Sequence, residues 1–254
     1  MSLPKAALVT GAAQRIGRAI ALALAKDGYA VAVHHHRSRE AAASLVAEIN
    51  GTGGRAVALL ADLADEKEAS ALVPAAVRAL GPLGCLVNNA SRFERDEALT
   101  ATREGWDHHL ETNLRAPFVL MQEFARQLPA AAEGAIVNLL DERVWNLTPH
   151  FVTYTLSKAG LWSLTQTMAL ALAPRIRVNG IGPGPTLPSP RQSEADFRRQ
   201  AESTPLRRGT TPEEIAAAVS FILASPALTG QMIALDGGQH LGWAQPLGRA
   251  PPEE

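Results

Sequence analysis

The residues best suited to acid–base chemistry lie in one stretch of the chain, from Asp141 to Lys158. Tyr154 and Lys158 are four positions apart, so on a helix their side chains share one face. An ammonium group beside a phenol favours the phenolate, and we expect Lys158 to lower the pKa of Tyr154 from about 10 towards neutral pH. Tyr154 is then a candidate proton donor. Asp141, thirteen positions before the tyrosine, adds a carboxyl group that such a pair does not require.

Alternating apolar strands and amphipathic helices surround this stretch. The predicted strands are 5–9, 29–35, 55–60, 85–87, 135–140, 175–181 and 232–235. The predicted helices are 17–26, 38–49, 66–80, 102–128 with a kink at Pro117, 151–172, a short one within 187–203, and 212–223. Strict alternation predicts an α/β fold, a single-domain, Rossmann-type doubly wound parallel sheet of about seven strands with helices on both faces. We assign residues 1–242 to this domain and 243–254 to a proline-containing C-terminal tail, which we expect to approach a neighbouring subunit.

Composition excludes several classes of function. The net charge of −1 gives no attraction for nucleic acid or an anionic membrane. A single cysteine, Cys85, excludes a disulfide framework and a cysteine-rich metal site, and it favours the reducing cytoplasm. No apolar run approaches the roughly 20 residues that span a bilayer, and the N-terminus lacks the layout of a signal peptide. We therefore expect a cytoplasmic protein with a small-molecule partner and no bound metal.

A glycine-containing turn joins the first predicted strand to the first helix. Gly11 and Gly17 frame this turn, where the pyrophosphate of a dinucleotide usually sits against the helix N-terminus. Arg15 stands where a middle glycine would be expected, and its cation could reach phosphate, substrate or both. Taken alone, this motif also fits a tight turn that binds nothing.

The end of the second strand carries basic and polar residues where NAD-specific sites usually have an acid. His36, Arg37 and Ser38 offer donors and positive charge, which suit a ribose 2′-phosphate and so NADPH. The three consecutive histidines 34–36 also fit a solvated strand end. A metal site fits them less well, because neighbouring strand residues point to opposite faces of the sheet.

Polar residues also follow the third and fourth strands. Asp62 fits equally well as an acceptor for an adenine amino group and as a helix N-cap. The small and amide residues Asn89, Ala90 and Ser91 allow the backbone to approach a planar ligand. Asn113 lies inside a predicted helix, where asparagine is a poor helix former. It is expected to be buried and to bond backbone groups or hold water.

These motifs together resemble the short-chain dehydrogenase/reductases over nearly the whole chain. The matching motifs are Thr10-Gly11-x-x-x-Arg15-x-Gly17, Asn88-Asn89-Ala90, Asn113, Tyr154-x-x-x-Lys158 and Pro183-Gly184. The resemblance implies a seven-stranded Rossmann-type sheet, NAD(P)(H) binding and a tetrad of Asn, Ser, Tyr and Lys. Asn113, Tyr154 and Lys158 match three members of the tetrad, whereas Asp141 stands where the serine is normal.

With Asp141 at this position, the chain is similar to a subgroup of the family, the pteridine reductases and bacterial dihydromonapterin/dihydrofolate reductases. Arg15, the 36–38 segment, Ser91-x-Phe93 and Asp141 carry this likeness. It implies that Phe93 stacks on one face of a pterin while the nicotinamide stacks on the other. It also implies that Arg15 and Ser91 reach cofactor phosphate and pterin, and that Asp141 and Tyr154 line the reacting edge. The match is weaker at Phe151 and across 187–203.

The same likeness supplies a cofactor-binding set and an assembly. The implied cofactor-binding residues are Gly11, Arg15, Ile16, Gly17, His36, Arg37, Ser38, Asp62, Leu63, Asn89, Ala90, Ser91, Tyr154, Lys158, Pro183, Gly184 and Thr186. Members of the family are commonly homotetramers that use the helix around Asn113 and the helix after Tyr154 as interfaces. We therefore expect a homotetramer that binds NADPH.

The chemistry of a pterin explains an acid at position 141. A carbonyl oxygen gains negative charge as hydride arrives, so an ionised Asp141 would repel it and would raise the pKa of Tyr154. In a pterin, hydride goes to the carbon of a C=N unit and the nitrogen takes a proton. A carboxyl group can bond ring N–H and amino groups or relay that proton. Burial should raise the pKa of Asp141 and Lys158 should lower it, and the sequence leaves the balance open.

The sequence thus predicts an NADPH-dependent reductase of a 7,8-dihydropterin such as dihydromonapterin, dihydrobiopterin or dihydrofolate. Three alternatives stay open. Asp141 also fits a strand-end carboxylate that caps a turn. The enzyme also fits a carbonyl or 3-oxoacyl reductase that tolerates Asp141. A third alternative is an NADPH-binding sensor without turnover, although the retained Asn113, Tyr154 and Lys158 argue against it.

Replacing Arg37 by alanine tests the 2′-phosphate assignment. A lost charge-assisted hydrogen bond costs about 1.5–3 kcal/mol, so Arg37→Ala should raise the KM for NADPH by about 10- to 100-fold. The KM for NADH should change far less, because NADH carries no 2′-phosphate. Steady-state kinetics with both cofactors measure the difference, and an equal effect on the two would remove Arg37 from phosphate recognition.

Overall fold

Parallel strands form one sheet through the middle of the computed structural model, which describes residues 3–189 and 191–242. The strands are β1 (Ala6–Val9), β2 (Ala30–His35), β3 (Ala56–Leu60), β4 (Cys85–Asn88), β5 (Gly134–Leu139), β6 (Ile176–Pro183) and β7 (Met232–Leu235). Their order is β3-β2-β1-β4-β5-β6-β7, and every neighbouring pair is parallel. The predicted doubly wound sheet is confirmed. The order reverses between β1 and β4, and ligands of such sheets bind beyond the carboxyl ends of the strands at that point.

Helices cover both faces of the sheet. They are α1 (Arg15–Lys26), α2 (Arg39–Gly51), α3 (Glu66–Leu80), α4 (Arg103–Leu110), α5 (Ala116–Gln127), α6 (Val152–Leu172), α7 (Glu194–Glu202) and α8 (Pro212–Ala224). Leu8, Leu86 and Ile136 point to the face that carries α3, α5 and α6. Val9 and Val87, one position later on their strands, point to the face that carries α1, α2 and α8. This alternation buries both faces of the sheet and explains why its strands are apolar throughout.

The predicted helix over 102–128 is interrupted, but not by a kink at Pro117. A π-helical turn, Glu111–Arg115, separates α4 from α5. Pro117 lies in the first turn of α5, directly after this π-helical turn, so its missing N–H removes a backbone donor where the two helical segments join. The interruption coincides instead with Asn113, whose side chain bonds the backbone of Arg92. Wide turns of this kind often occur at functional sites.

Two further predictions concern the C-terminal tail and the N-cap of α2. The C-terminal tail, 243–254, lies outside the described residues, so its boundary and its subunit contact stay predictions. Ser38 does occupy the N-cap position of α2, as the sequence suggests, but its hydroxyl makes no capping hydrogen bond there. Among the helices of residues 3–189 and 191–242, none combines the length and apolar character that a bilayer span requires.

A buried polar chain fixes α6 against the sheet. The Asn88 side chain donates to Asn138 Oδ1 over 2.8 Å, and Asn138 Nδ2 donates to Thr165 Oγ1 over 2.8 Å. Thr165 in turn donates to the Leu161 carbonyl. Asn138 and Thr165 are fully buried. Since α6 also carries Tyr154, these bonds hold the helix of the candidate proton donor at a set distance from β5.

Thr165→Val removes the hydroxyl from this chain while keeping the branched shape of the side chain. It leaves a buried amide of Asn138 unsatisfied, so it should lower the free energy of unfolding by about 1–3 kcal/mol. Thr167→Val is the matched control, because Thr167 is exposed on the same helix and bonds only the Ser163 carbonyl. It should change stability by no more than about 0.5 kcal/mol. Denaturant unfolding compares the two, and equal losses would contradict a stabilising role for the buried chain.

Candidate active site

A cavity of about 280 Å³ opens at the carboxyl edge of the sheet, where β1, β4, β5 and β6 end. Many of the sequence-predicted site residues line it. These are Arg15, Ile16, Asn89, Ser91, Phe93, Asp141, Tyr154, Lys158, Pro183, Gly184 and Thr186. Gly11, Gly17, Ala90 and Asn113 stand behind this wall, and the 36–38 segment, Asp62 and Leu63 lie at the ends of β2 and β3. The structure therefore brings the candidate acid–base residues together at the switch point of the sheet.

Tyr154 and Asp141 are joined by a direct hydrogen bond. Tyr154 lies in the first turn of α6, and its hydroxyl donates to Asp141 Oδ2 over 2.8 Å. Asp141 follows β5 and also accepts from the backbone N–H of Arg143, which caps the 3₁₀ turn Glu142–Val144. The sequence left open a turn cap or a chemical role for Asp141. The cap is present, and the same carboxylate faces the candidate proton donor.

Arg143 is a site residue that sequence reasoning missed. One guanidinium nitrogen lies 3.3 and 3.2 Å from the two carboxylate oxygens of Asp141. The side chains of Arg143 and Asp141 are only 7% and 13% exposed, so this is a largely buried ion pair that compensates the charge of the carboxylate. The only sequence signal was a basic residue two positions after the unexpected acid.

The expected lowering of the Tyr154 pKa is wrong. Burial, followed by the nearby charge of Asp141, raises the pKa of Tyr154 well above its usual range. The Lys158 ammonium donates to the Leu139 carbonyl over 2.8 Å and lies 5.8 Å from the centroid of the Tyr154 ring. Burial also lowers the pKa of Lys158 itself to about 8. Tyr154 is therefore held as a neutral phenol that donates to Asp141.

Aromatic rings form one wall of the cavity. Phe93 stacks on Phe151 with ring centroids 4.6 Å apart and planes 10° apart, and it meets the ring of Tyr154 edge-on at 4.7 Å. The Arg143 guanidinium lies 5.7 Å from the Phe93 centroid. Phe151 covers one face of Phe93, so a planar ligand must use the other face. Sequence reasoning singled out Phe93 as the platform but gave Phe151 no part in it.

The glycine turn requires a glycine at position 17, because other backbone atoms lie too close for a side chain there. A Cβ at Gly17 would come within 2.3 Å of the Gly11 carbonyl oxygen, so no larger residue fits. Asn89 ties the turn down by donating to the Thr10 and Gly11 carbonyls. Gln14, at the N-cap of α1, makes no side-chain cap. The first N–H groups of α1 thus receive no bond from that side chain, an arrangement that fits an anionic pyrophosphate.

Arg15 lies across the mouth of the cavity. Its guanidinium donates to the Leu187 and Pro188 carbonyls over 3.3 and 3.1 Å, which joins the glycine turn to the loop after β6. This loop contributes further lining that the sequence did not identify, including Ser189, Gln192 and, from α7, Gln200. The role of Arg15 as a cation for phosphate or substrate stays a prediction.

The end of β2 presents charge to solvent. His36 and Arg37 are exposed, and His36 Nε2 lies 3.6 Å from Asp62 Oδ2. The N-cap alternative for Asp62 is wrong, because Asp65 caps α3 and Asp62 instead accepts from the Ala64 N–H. Leu63 is buried in the core.

His34 lies one step inward from this charged strand end. It accepts from the Gly11 N–H and faces the Ala61 carbonyl, and burial lowers its pKa to about 4. One neutral histidine therefore connects the glycine turn with the end of β3.

Asn113 bonds backbone groups, which is one of the two roles that the sequence allows for it. Its amide accepts from the Arg92 N–H and donates to the Arg92 carbonyl. It also donates to Ser157 Oγ over 3.0 Å and accepts from Ser91 Oγ over 3.2 Å. Asn113 thus holds the loop that carries Ser91 and Phe93 against α6. In the described part of the chain, no group of three or more His, Cys, Asp or Glu residues is arranged to bind a metal ion.

A glycine turn and a buried Tyr–Asp pair at the carboxyl edge of a parallel sheet define a Rossmann-type α/β protein with an acid–base site. A family model described as enoyl-(acyl carrier protein) reductase matches residues 11–240. Among curated proteins, 3-oxoacyl-[acyl-carrier-protein] reductase FabG of Staphylococcus aureus is 37% identical over 247 residues, which are 95% of this chain and 100% of that protein. The chain belongs to the short-chain dehydrogenase/reductase family of oxidoreductases.

Solved structures add a second set of relatives. FolM alternative dihydrofolate reductase 1 from Brucella suis, in complex with NADP, is 46% identical, with a TM-score of 0.93 over 97% of this chain and 99% of that one. A blue fluorescent protein from a metagenomic library, in complex with NADPH, is 31% identical, with a TM-score of 0.86 over 92% and 97% of the two chains. Both cover nearly the whole fold.

Alkaline titration tests the correction to Tyr154. The chain has two tyrosines, and burial raises the pKa of the other one, Tyr29, to about 12. Ultraviolet difference absorbance should therefore show no tyrosinate below the ordinary value of 10.0. Both groups are neutral when protonated, so a raised pKa means that the phenol persists as pH rises. A transition below 10.0 that disappears in Tyr154→Phe would contradict the structure and restore the lysine-activated phenolate.

Proposed function

We propose that this protein is an NADPH-dependent reductase of pterins, which converts a 7,8-dihydropterin to its tetrahydro form. The observation that carries the proposal is the hydrogen bond from Tyr154 to Asp141, with Arg143 paired to the same carboxylate. A serine at this position would donate to a substrate oxygen. Asp141 is instead an acceptor, which suits the ring N–H and amino groups of a pterin.

The cofactor side of the proposal is supported by the donor set. Exposed Arg37, His36 and the uncommitted hydroxyl of Ser38 suit a 2′-phosphate, and the N-terminus of α1 suits a pyrophosphate. Nearby relatives in solved structures bind NADP or NADPH. When bound, NADPH would supply the hydride. The further residues proposed to hold it are Gly11, Arg15, Ile16, Gly17, Asp62, Leu63, Asn89, Ala90, Ser91, Tyr154, Lys158, Pro183, Gly184 and Thr186.

The chain's own residues would control the proton. Reduction of the C=N unit needs a hydride at carbon and a proton at nitrogen. Tyr154 stays protonated because its pKa is raised, so its hydroxyl carries a proton that it could give to the substrate nitrogen. Asp141 accepts the hydrogen bond of that hydroxyl and so orients it, and solvent water would return the proton to Tyr154. Arg143 would keep the Asp141 carboxylate oriented between Tyr154 and the substrate. Phe93 would stack on the pterin with the face that Phe151 leaves free.

The far wall of the cavity also favours a polar substrate over an acyl chain. Ser189, Gln192, Gln200 and Gln239 line it. Within the described residues, the buried atoms Ser189 Oγ and Gln239 Oε1 have no hydrogen-bond partner. These hydroxyl and amide groups give the wall a polar character, which suits the polar side chain of a reduced pterin or folate better than a hydrocarbon chain.

The second candidate is a 3-oxoacyl or other carbonyl reductase. It is favoured by the curated relative from S. aureus, which is 37% identical across its full length. NADPH oxidation measured with a panel of dihydropterins and dihydrofolate, beside a panel of ketones and 3-oxoacyl thioesters, separates the two candidates. Turnover of the second panel alone would overturn the pterin proposal.

Asp141→Ser tests the residue on which the substrate class depends. It removes the acceptor and restores a hydroxyl donor, so kcat with dihydropterin should fall by about 100-fold or more while a ketone becomes a better substrate. Asp107→Ser, at an exposed acid of α4 paired with Arg103, is the control and should leave both rates unchanged. Tyr154→Phe should abolish turnover and retain NADPH binding. An unchanged dihydropterin rate in Asp141→Ser would refute the role of Asp141.

We also propose that the enzyme is a homotetramer in a reducing compartment such as the cytoplasm. Trp106 on α4 and Leu156 and Leu170 on α6 are exposed apolar side chains on the helices expected to form interfaces. Cys85, the only cysteine, is buried and free. Light scattering coupled to size-exclusion chromatography measures the assembly, and a monomeric mass would contradict it.

A further inference from the structure

We infer that Asp96, Thr153 and His109 form a positioning relay that fixes the Phe93 platform relative to Tyr154. The inference rests on the proposed function for the part that Phe93 plays with substrate. Thr153 and His109 are each 1% exposed, and neither lines the cavity. They therefore touch no substrate. Their effect must come through the loop and the helix that they join.

The relay has a single direction of hydrogen bonding. The Glu94 N–H donates to His109 Nε2 over 3.1 Å, so that nitrogen must carry the lone pair. The proton of the neutral ring is then on Nδ1, which donates to Thr153 Oγ1 over 2.7 Å. The Thr153 hydroxyl is left free to donate, and it donates to Asp96 Oδ2. The backbone between Glu94 and Asp96 closes the ring of contacts.

Asp96 caps the N-terminus of α6, because the N-cap residue of that helix makes no side-chain hydrogen bond of its own. Phe151 occupies the N-cap position of α6 with φ 57° and makes no side-chain cap. The Asp96 carboxylate accepts instead from the Thr153 N–H at the helix start, and the Asp96 carbonyl accepts from the Phe151 N–H over 2.9 Å. A residue of the Phe93 loop thus satisfies the first donors of the helix that bears Tyr154.

Two residues of one helical segment hold the backbone on either side of Phe93. The backbone of Arg92, before Phe93, is held by Asn113, and the backbone of Glu94, after Phe93, is held by His109. His109 and Asn113 are four positions apart and so lie on the same side of the helical segment. Phe93 cannot tilt unless one of these contacts is lost. Its edge contact with Tyr154 at 4.7 Å is therefore a fixed geometry.

This arrangement predicts a selective kinetic defect when the relay is broken. A displacement of a platform by about 1 Å can cost about 10²-fold in rate. Thr153→Val keeps the shape of the side chain and removes the hydroxyl that links His109 to Asp96. It should lower kcat/KM for the dihydropterin by about 10- to 100-fold. The KM for NADPH should stay within about two-fold, because the relay meets the proposed cofactor set at Tyr154, edge-on to the His109 ring, whereas the residues proposed to hold the phosphates lie at the glycine turn and the end of β2.

Two matched variants separate positioning from general destabilisation. Thr153→Ser retains the hydroxyl and should restore most of the lost activity. Thr155→Val removes the hydroxyl of the next threonine on α6, whose buried Oγ1 has no hydrogen-bond partner among the described residues, and should have wild-type kinetics. His109→Gln, which can still accept from Glu94 and donate to Thr153, should be milder than His109→Leu. If Thr153→Val fails to fold, the comparison of His109→Gln with His109→Leu still tests the relay.

The measurements are steady-state kinetics with dihydropterin and NADPH varied separately, beside thermal melting of each variant. The relay is supported if Thr153→Val loses kcat/KM for dihydropterin while Thr153→Ser and Thr155→Val do not. It is overturned if Thr153→Val retains wild-type kinetic constants, or if Thr153→Ser and Thr153→Val lose activity equally. If the wild type reduces only ketones, the proposed function fails, and the same comparison on the ketone still tests the relay.

Discussion

The hydrogen bond between Tyr154 and Asp141 is the interaction on which the rest of the site depends. It joins the end of β5 to the first turn of α6, and these two segments come together only when α6 packs on the sheet. A carboxylate this enclosed would be costly without a counter-charge, and Arg143 supplies it from two positions along the same turn. Burial is the main cause of the raised Tyr154 pKa, and the negative charge of Asp141 raises it further because it disfavours the phenolate. Donor, acceptor and counter-ion therefore form one unit.

This unit explains how one scaffold can have relatives with different substrates. The glycine turn, Asn113, Tyr154 and Lys158 are the motifs that resemble the family as a whole, and the 37% identity to a 3-oxoacyl reductase extends over nearly the whole chain. Fold and cofactor cradle do not choose the substrate; the groups that face the reacting atoms do. Here those groups include an acceptor at 141 and amides on the far wall. A solved structure with the same fold, FolM alternative dihydrofolate reductase 1 from Brucella suis, is 46% identical to this chain.

Much of the fold could be predicted, because strand burial and helical periodicity are local properties of the sequence. The helix Glu66–Leu80 and the strand Met232–Leu235 have the predicted bounds. The site was harder to predict where a side chain had a choice of partners. Spacing places Lys158 on the face of Tyr154, but only the folded sheet offers it the Leu139 carbonyl. The predicted helix start at Glu66 already favours Asp65 over Asp62 as the cap, whereas nothing in the local sequence marks Arg143 as the partner of Asp141.

Phe151 shows how local strain and distant contacts support each other at this site. A bulky residue with φ 57° is unfavourable by about 1–2 kcal/mol, and Phe151 is also fully buried. The strain is offset by stacking on Phe93 and by the bond from its N–H to the Asp96 carbonyl. Because both compensating contacts come from the Phe93 loop, the start of α6 and the aromatic platform are stable only together. A change in either contact therefore alters the position of the Phe93 ring relative to the hydroxyl of Tyr154, which the intact site holds with the rings edge-on at 4.7 Å.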